Sequence, residues 1–122
     1  MKVTIERAAL LKALAHAQSV VERRNTIPIL ANVRLSAADG KLSLTATDLD
    51  LSIVEDAPAI VATGGATTAS AHMLYDIARK LPEGAQVELD SLAKDGQLTM
   101  RAGRSTFTLA SLPVEEFPVL SG

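Results

Sequence analysis

Two Asp-Gly pairs, Asp39-Gly40 and Asp95-Gly96, stand 56 residues apart, and the same alternation of apolar residues follows each. At that offset Leu42, Leu44 and Ala46 fall on Leu98, Met100 and Ala102, while Leu51 and Ile53 fall on Phe107 and Leu109. Asp-Gly between alternating runs is a strong hairpin signal, and a period of two turns one face of each strand toward a core. Any two hairpins share alternation, so coincidence competes with duplication as the explanation. What precedes each turn decides between them.

Residues 3–6 (VTIE) read as a short strand. Over 7–23, Leu10, Leu14, Ala17 and Val21 recur every three or four positions, the spacing of one helical face. Pro28 closes that region, because the residue before proline is driven toward extended geometry, and a strand is expected from about Ile29. Strands over 41–47 and 49–55 complete the first set. The second half repeats the order. Residues 66–70 finish a strand, with Ser70 as the N-cap of a helix. That helix turns Leu74, Ile77, Ala78 and Leu81 to one side, leaves His72, Arg79 and Lys80 outside, and stops at Pro82 and Gly84. Strands at 85–90, 97–102 and 104–110 follow. The pattern predicts one α+β domain built from two βαβββ units, about 1–57 and 58–112, related by a pseudo-twofold. Strands form one layer and both helices the other.

The core must be aliphatic, since the 122 residues include two Phe, one Tyr and no Trp. With no cysteine there is neither a disulfide framework nor a thiolate metal site. Two histidines are too few for a His-built zinc centre. No apolar run approaches the roughly 18 residues of a membrane span, and the N-terminus has no signal-peptide core. The expectation is a soluble, cytoplasmic protein without a membrane partner. No nucleophile elbow, P-loop or dinucleotide fingerprint is present, and His16 and His72 lack the partners of a triad, so neither catalysis nor a cofactor is expected. Asp48-Leu49-Asp50 reads as a solvated turn in preference to a metal site. The adjacent acids Glu55-Asp56 and Glu115-Glu116, without a partnered base, read as plain surface.

Charge is more informative than chemistry. The chain as a whole carries −2, yet residues 7–24 hold Arg7, Lys12, Arg23 and Arg24 against only Glu22. On the helix, Lys12, His16, Ser19 and Arg23 fall opposite the apolar face, in a stripe without a carboxylate. Arg23 and Arg24 also suit a helix end, where cations meet the negative pole of the dipole. Few aromatics are available for stacking single-stranded bases, and the stripe has no amides for reading base edges. Sparse cations of this kind suit phosphates, which predicts weak, sequence-independent contact with duplex DNA. Two readings from other classes compete: a small αβ adaptor that binds proteins through an exposed edge strand, and a small αβ hydrolase or ligand-binding domain, for which no convergent polar pocket is visible.

The segments MKVTIERAALLKAL, RNTIPILANV, DGKLSLTATDLDLSI, LYDIARKLPEG and GRSTFTLASLPVEEFP resemble, in this order and nearly end to end, the N-terminal domain of the bacterial DNA polymerase III beta subunit (sliding clamp) family. The resemblance implies a DNA-clamp fold, with residues 1–122 as the first of three such domains. It further implies a head-to-tail homodimer ring around duplex DNA, with helices lining the hole and sheets forming the outer wall. Arg24, just ahead of TIPIL, would touch the DNA backbone, beside Arg23, and Lys12, His16, Arg79 and Lys80 would face the same channel. His72 and Met73 stand where some relatives carry cations. Phe107 and Leu109, with Arg104 at the rim, would meet the third domain of the other subunit. DNA polymerase and clamp loader would bind through the later domains, and no residue here would be catalytic or hold a metal or cofactor.

Overall fold

The computed structural model describes residues 1–19, 31–47, 52–92 and 96–112. Their order is β1 (Lys2–Glu6), α1 (Arg7–Gln18), β2 (Asn32–Ala38), β3 (Lys41–Thr47), β4 (Ser52–Pro58), β5 (Ile60–Thr63), β6 (Gly65–Ser70), α2 (Ala71–Lys80), β7 (Gln86–Asp90), β8 (Gln97–Ala102) and β9 (Ser105–Ala110).

Hairpin chemistry sets the strands. Asp39 and Gly40 both take positive φ (52° and 73°) between β2 and β3, the mirror-image turn whose twist matches that of paired strands. Gly96 repeats this backbone at φ 76°, while Asp95 lies outside the described residues. Leu42, Leu44, Ala46, Leu98 and Met100 are fully buried and Ala102 nearly so. Here the two halves match position for position.

One strand further on, the 56-residue correspondence slips. Leu98 pairs with Leu109 and Met100 with Phe107, whereas Leu42 pairs with Ala57 and Leu44 with Glu55. Phe107 and Leu109 therefore take the places of Glu55 and Ala57, because the β3–β4 connection is longer than the turn at Gly103-Arg104. Ile53 is only half-buried, and Leu51 lies outside the described residues. β4 also runs on to Pro58, three residues beyond expectation.

All strand pairs are antiparallel, in two sheets ordered β5-β1-β7-β8-β9 and β4-β3-β2-β6. The first strand of each βαβββ unit has crossed into the other unit's sheet: β1 joins β7–β9, and β6 joins β2–β4. β5 is additional to the expected elements. Its β-branched residues suit a pleated surface, and it lies along β1 with Val3 opposite Val61.

The helices supply the cover. In α1, Leu10, Leu14 and Ala17 are fully buried; Val21 and the stretch to 23 lie outside the described residues. In α2, Leu74 and Ala78 are buried, as is Leu81 just after it. Ser70 caps α2 as expected, its hydroxyl accepting from the Met73 N–H at 3.3 Å. Leu81 ends it in extended geometry (φ −77°, ψ 153°), the bias imposed by the following Pro82. Both helices and both sheets contribute to one aliphatic cluster. None of the described helices is long and apolar enough to cross a membrane.

A buried hydroxyl ties the two sheets together. Thr68 on β6 accepts from the Asn32 side-chain amide of β2 at 3.1 Å and from the Leu112 N–H at 3.1 Å, and donates to the Leu112 carbonyl at 2.8 Å. Leu112 follows β9 of the other sheet, so this one side chain satisfies a neighbour in its own sheet and two backbone groups across the join. Thr68 is fully buried and Asn32 nearly so.

Candidate nucleic-acid interface

The first turn of α1 meets the last turn of α2, and Arg7 fastens them. Its Nε donates to the Ala78 carbonyl at 3.0 Å and its Nη2 to the Arg79 carbonyl at 3.1 Å. These carbonyls belong to the last turn of α2, where Ala78 also takes the Leu81 N–H at 3.3 Å, and a guanidinium complements the negative pole there. Arg7 is therefore a staple between the helices. Periodicity alone did not signal that role.

Lys12, His16 and Ser19 are exposed along α1, as the helical spacing predicts. The Ser19 hydroxyl turns back to the His16 carbonyl at 2.6 Å and closes the helix. At the far end of α2, Arg79 and Lys80 are exposed. Arg79 lies 3.3 Å from Asp76 and over the Tyr75 ring, 5.4 Å from its centroid, so its guanidinium is oriented by two neighbours. Lys12 and Lys80 make no ion pair with any described residue. His72 is half-buried, less open than the spacing suggests. Arg23 and Arg24 lie outside the described residues.

Some cations on the sheets are placed differently. On the outward face of β8, Arg101 sits 2.9 Å from Glu88 and 3.6 Å from Asp90. On the outward side of β3 and β4, Asp56 takes the Ser43 hydroxyl at 2.5 Å and lies 3.9 Å from Lys41. Lys41 and Arg101 are thus matched by carboxylates, whereas Lys12 and Lys80 on the helices, like Lys2 on β1 and Arg34 on β2, make no ion pair with a described residue. Exposed, unpaired cations such as Lys12 and Lys80 are what a phosphate backbone recognises, without regard to base sequence.

Glu55 departs from the plain-surface expectation. It stands on the helix-facing side of β4 in the row of Ile53 and Ala57, and its carboxylate contacts His16 Nδ1. The sequence held a signal for this, since Glu55 shares the parity of the apolar positions. Asp56 is likewise partnered, through Ser43 and Lys41.

The residues expected at a subunit edge divide. β9 is the outermost strand of its sheet, paired only with β8, and Arg104 is exposed in the turn before it. Phe107 is half-buried, but Leu109 is 2% exposed and sits opposite Leu98. Leu109 belongs to this domain's own core, because its parity points it inward. Among the described residues no cluster of three or more His, Asp or Glu could hold a metal.

Comparison with known proteins agrees with this architecture. The family described as DNA polymerase III beta subunit, N-terminal domain, matches residues 1–121. The beta sliding clamp of Caulobacter vibrioides (strain NA1000 / CB15N) is 58% identical over 121 residues, covering 99% of this chain and 32% of the relative. The beta sliding clamp of Escherichia coli K12 is 42% identical over 121 residues, covering 98% of this chain and 32% of the relative. A crystal structure of the DNA polymerase sliding clamp from Caulobacter crescentus superposes with a TM-score of 0.97 at 57% identity, covering all of this chain and 33% of that one. The chain thus spans about a third of the length of the curated relatives it matches.

Proposed function

The chain belongs to the DNA polymerase III beta subunit family, as its N-terminal domain, and from that premise we propose that it serves as the first of three domains of a cytoplasmic sliding clamp. In this reading the helix layer faces the duplex and the sheets form the outside of a head-to-tail homodimer ring. Lys12, His16, Arg79 and Lys80, with Arg23 and Arg24, meet phosphates without reading bases. The domain performs no chemistry. Enclosure makes escape from DNA depend on ring opening, and a polymerase tethered to the ring stays near its template by effective concentration. Polymerase and clamp loader engage the domains that follow this one. The observation that carries the reading is that Lys12 and Lys80 stand exposed on the helices, each without an ion pair among the described residues.

Titrating the 122-residue chain with mixed-sequence duplex DNA, followed by amide NMR, is expected to shift α1 and α2 and leave the sheet faces still. Binding should be weaker than micromolar and weaken further with salt, as counterion release requires. Arg24→Ala and Lys12→Ala should lower it equally for all sequences. Submicromolar affinity that changes with base sequence would exclude a sliding contact.

β9, with Phe107 half-buried and Arg104 at its start, is proposed as the edge that meets the third domain of the other subunit. A chain carrying one side of a head-to-tail contact is expected to be mainly monomeric at micromolar concentration. Any pairing at higher concentration should run through this open edge. Light scattering over a concentration series tests this beside Phe107→Asp. A tight dimer indifferent to Phe107→Asp would show that β9 is not that edge.

A further inference from the structure

Glu55 is a carboxylate on the covered side of an edge strand, opposite the fully buried Leu44 and at the place Phe107 takes in β9. A polar group in such a position needs a partner, and His16 supplies it through Nδ1. The two side chains retain 59% and 30% of their exposure, so the imidazole is anchored on one edge and open to solvent on the other. We propose that Glu55 is a positioning residue that fixes His16 through Nδ1 and makes the phosphate contact of His16 conditional on protonation of the imidazole. The inference rests on the reading that α1 faces duplex DNA.

The argument is one of donors. A neutral imidazole has a single N–H. With that hydrogen on Nδ1 and given to Glu55, Nε2 is a bare acceptor and has nothing to offer a phosphate oxygen. The imidazolium carries N–H on both nitrogens, so Nδ1 keeps Glu55 while Nε2 donates outward. Histidine is the side chain whose ordinary charge change falls between pH 5 and 8. Adding one proton therefore adds both a charge and a correctly aimed donor.

Few other charges face the pair among the described residues. Lys12 lies one turn back on α1. On β4, Asp56 points to the opposite face, toward Ser43 and Lys41, and Lys41 is the ionisable residue of β3. On α2, Asp76 is taken by Arg79, and Lys2 and Glu6 of β1 precede the first turn of α1.

Two measurements on the 122-residue chain test the proposal. Ring nitrogen shifts without DNA at pH 8 are expected to show the hydrogen of His16 on Nδ1, and Glu55→Gln should abolish that fixed tautomer. Affinity for a mixed-sequence duplex, at constant salt of about 50 mM, is expected to be roughly two- to fivefold tighter at pH 6 than at pH 8. The salt dependence should steepen by about 0.9 in log–log slope as one more phosphate is neutralised. His16→Gln should remove most of both differences. A hydrogen on Nε2 at pH 8, or a pH effect undiminished in His16→Gln, would overturn the inference. Equal binding at both pH values would overturn it alone, whereas no binding at either would overturn the DNA-facing reading on which it stands.

Discussion

Leu44→Ala and Leu98→Ala are each expected to destabilise the domain by about 2–5 kcal/mol, a large share of the roughly 5–15 kcal/mol that holds a typical domain folded. Both side chains are fully buried, one in the middle of β3 and the other near the start of β8. They occupy different sheets, yet both belong to the same aliphatic cluster. Truncating either removes apolar contact and leaves a cavity whose strand-bound walls cannot easily collapse. Both losses should appear in a single transition, since the two units exchange their first strands and share one core. Thermal unfolding followed by circular dichroism and by calorimetry checks this. Separate melting of two halves, or a loss below 1 kcal/mol at either site, would contradict the shared core.

Thr68→Val should also cost several kcal/mol, although it conserves volume. The hydroxyl partners the Asn32 amide and both backbone groups of Leu112, and valine would leave all three without it, the amide in a buried place and the Leu112 groups in a part-buried one. A buried polar group that loses its partner costs about 1–3 kcal/mol. Thr68→Ser keeps the hydroxyl and should recover most of the loss. Denaturant unfolding of the pair separates the two effects: destabilisation by serine with little loss from valine would mean that the methyl group, and not the hydroxyl, matters at this site.

The fold was legible in the sequence where the physics was local. Asp39-Gly40 demanded a hairpin, Leu42, Leu44 and Ala46 announced a buried face, and Ser70 and Pro82 bracketed α2. Lys12 and Lys80 likewise showed themselves by helical spacing. What escaped depended on contacts between distant segments. Arg7 looked like one more cation until α2's terminal carbonyls were brought to it. Glu55 looked like surface because its partner is on another element. Leu109 was assigned to an interface on resemblance, although its own parity marked it as core. β5 is too short for periodicity to reveal, and its place is set by the open edge of β1.

The exchange of first strands between the two sheets bears on ancestry. Consider a half-length polypeptide with a single strand-helix-strand-strand-strand unit. Alone, it would hold a three-stranded sheet with an unfilled edge and one strand with nowhere to pair. Two copies meeting about a twofold axis would each accept the strand the other could not use. The wiring of this domain is that of such a swapped pair, joined end to end into one chain. Tandem fusion would have turned a concentration-dependent partnership into an intramolecular one, and freed each half to diverge, as Glu55 and Phe107 have at matching places.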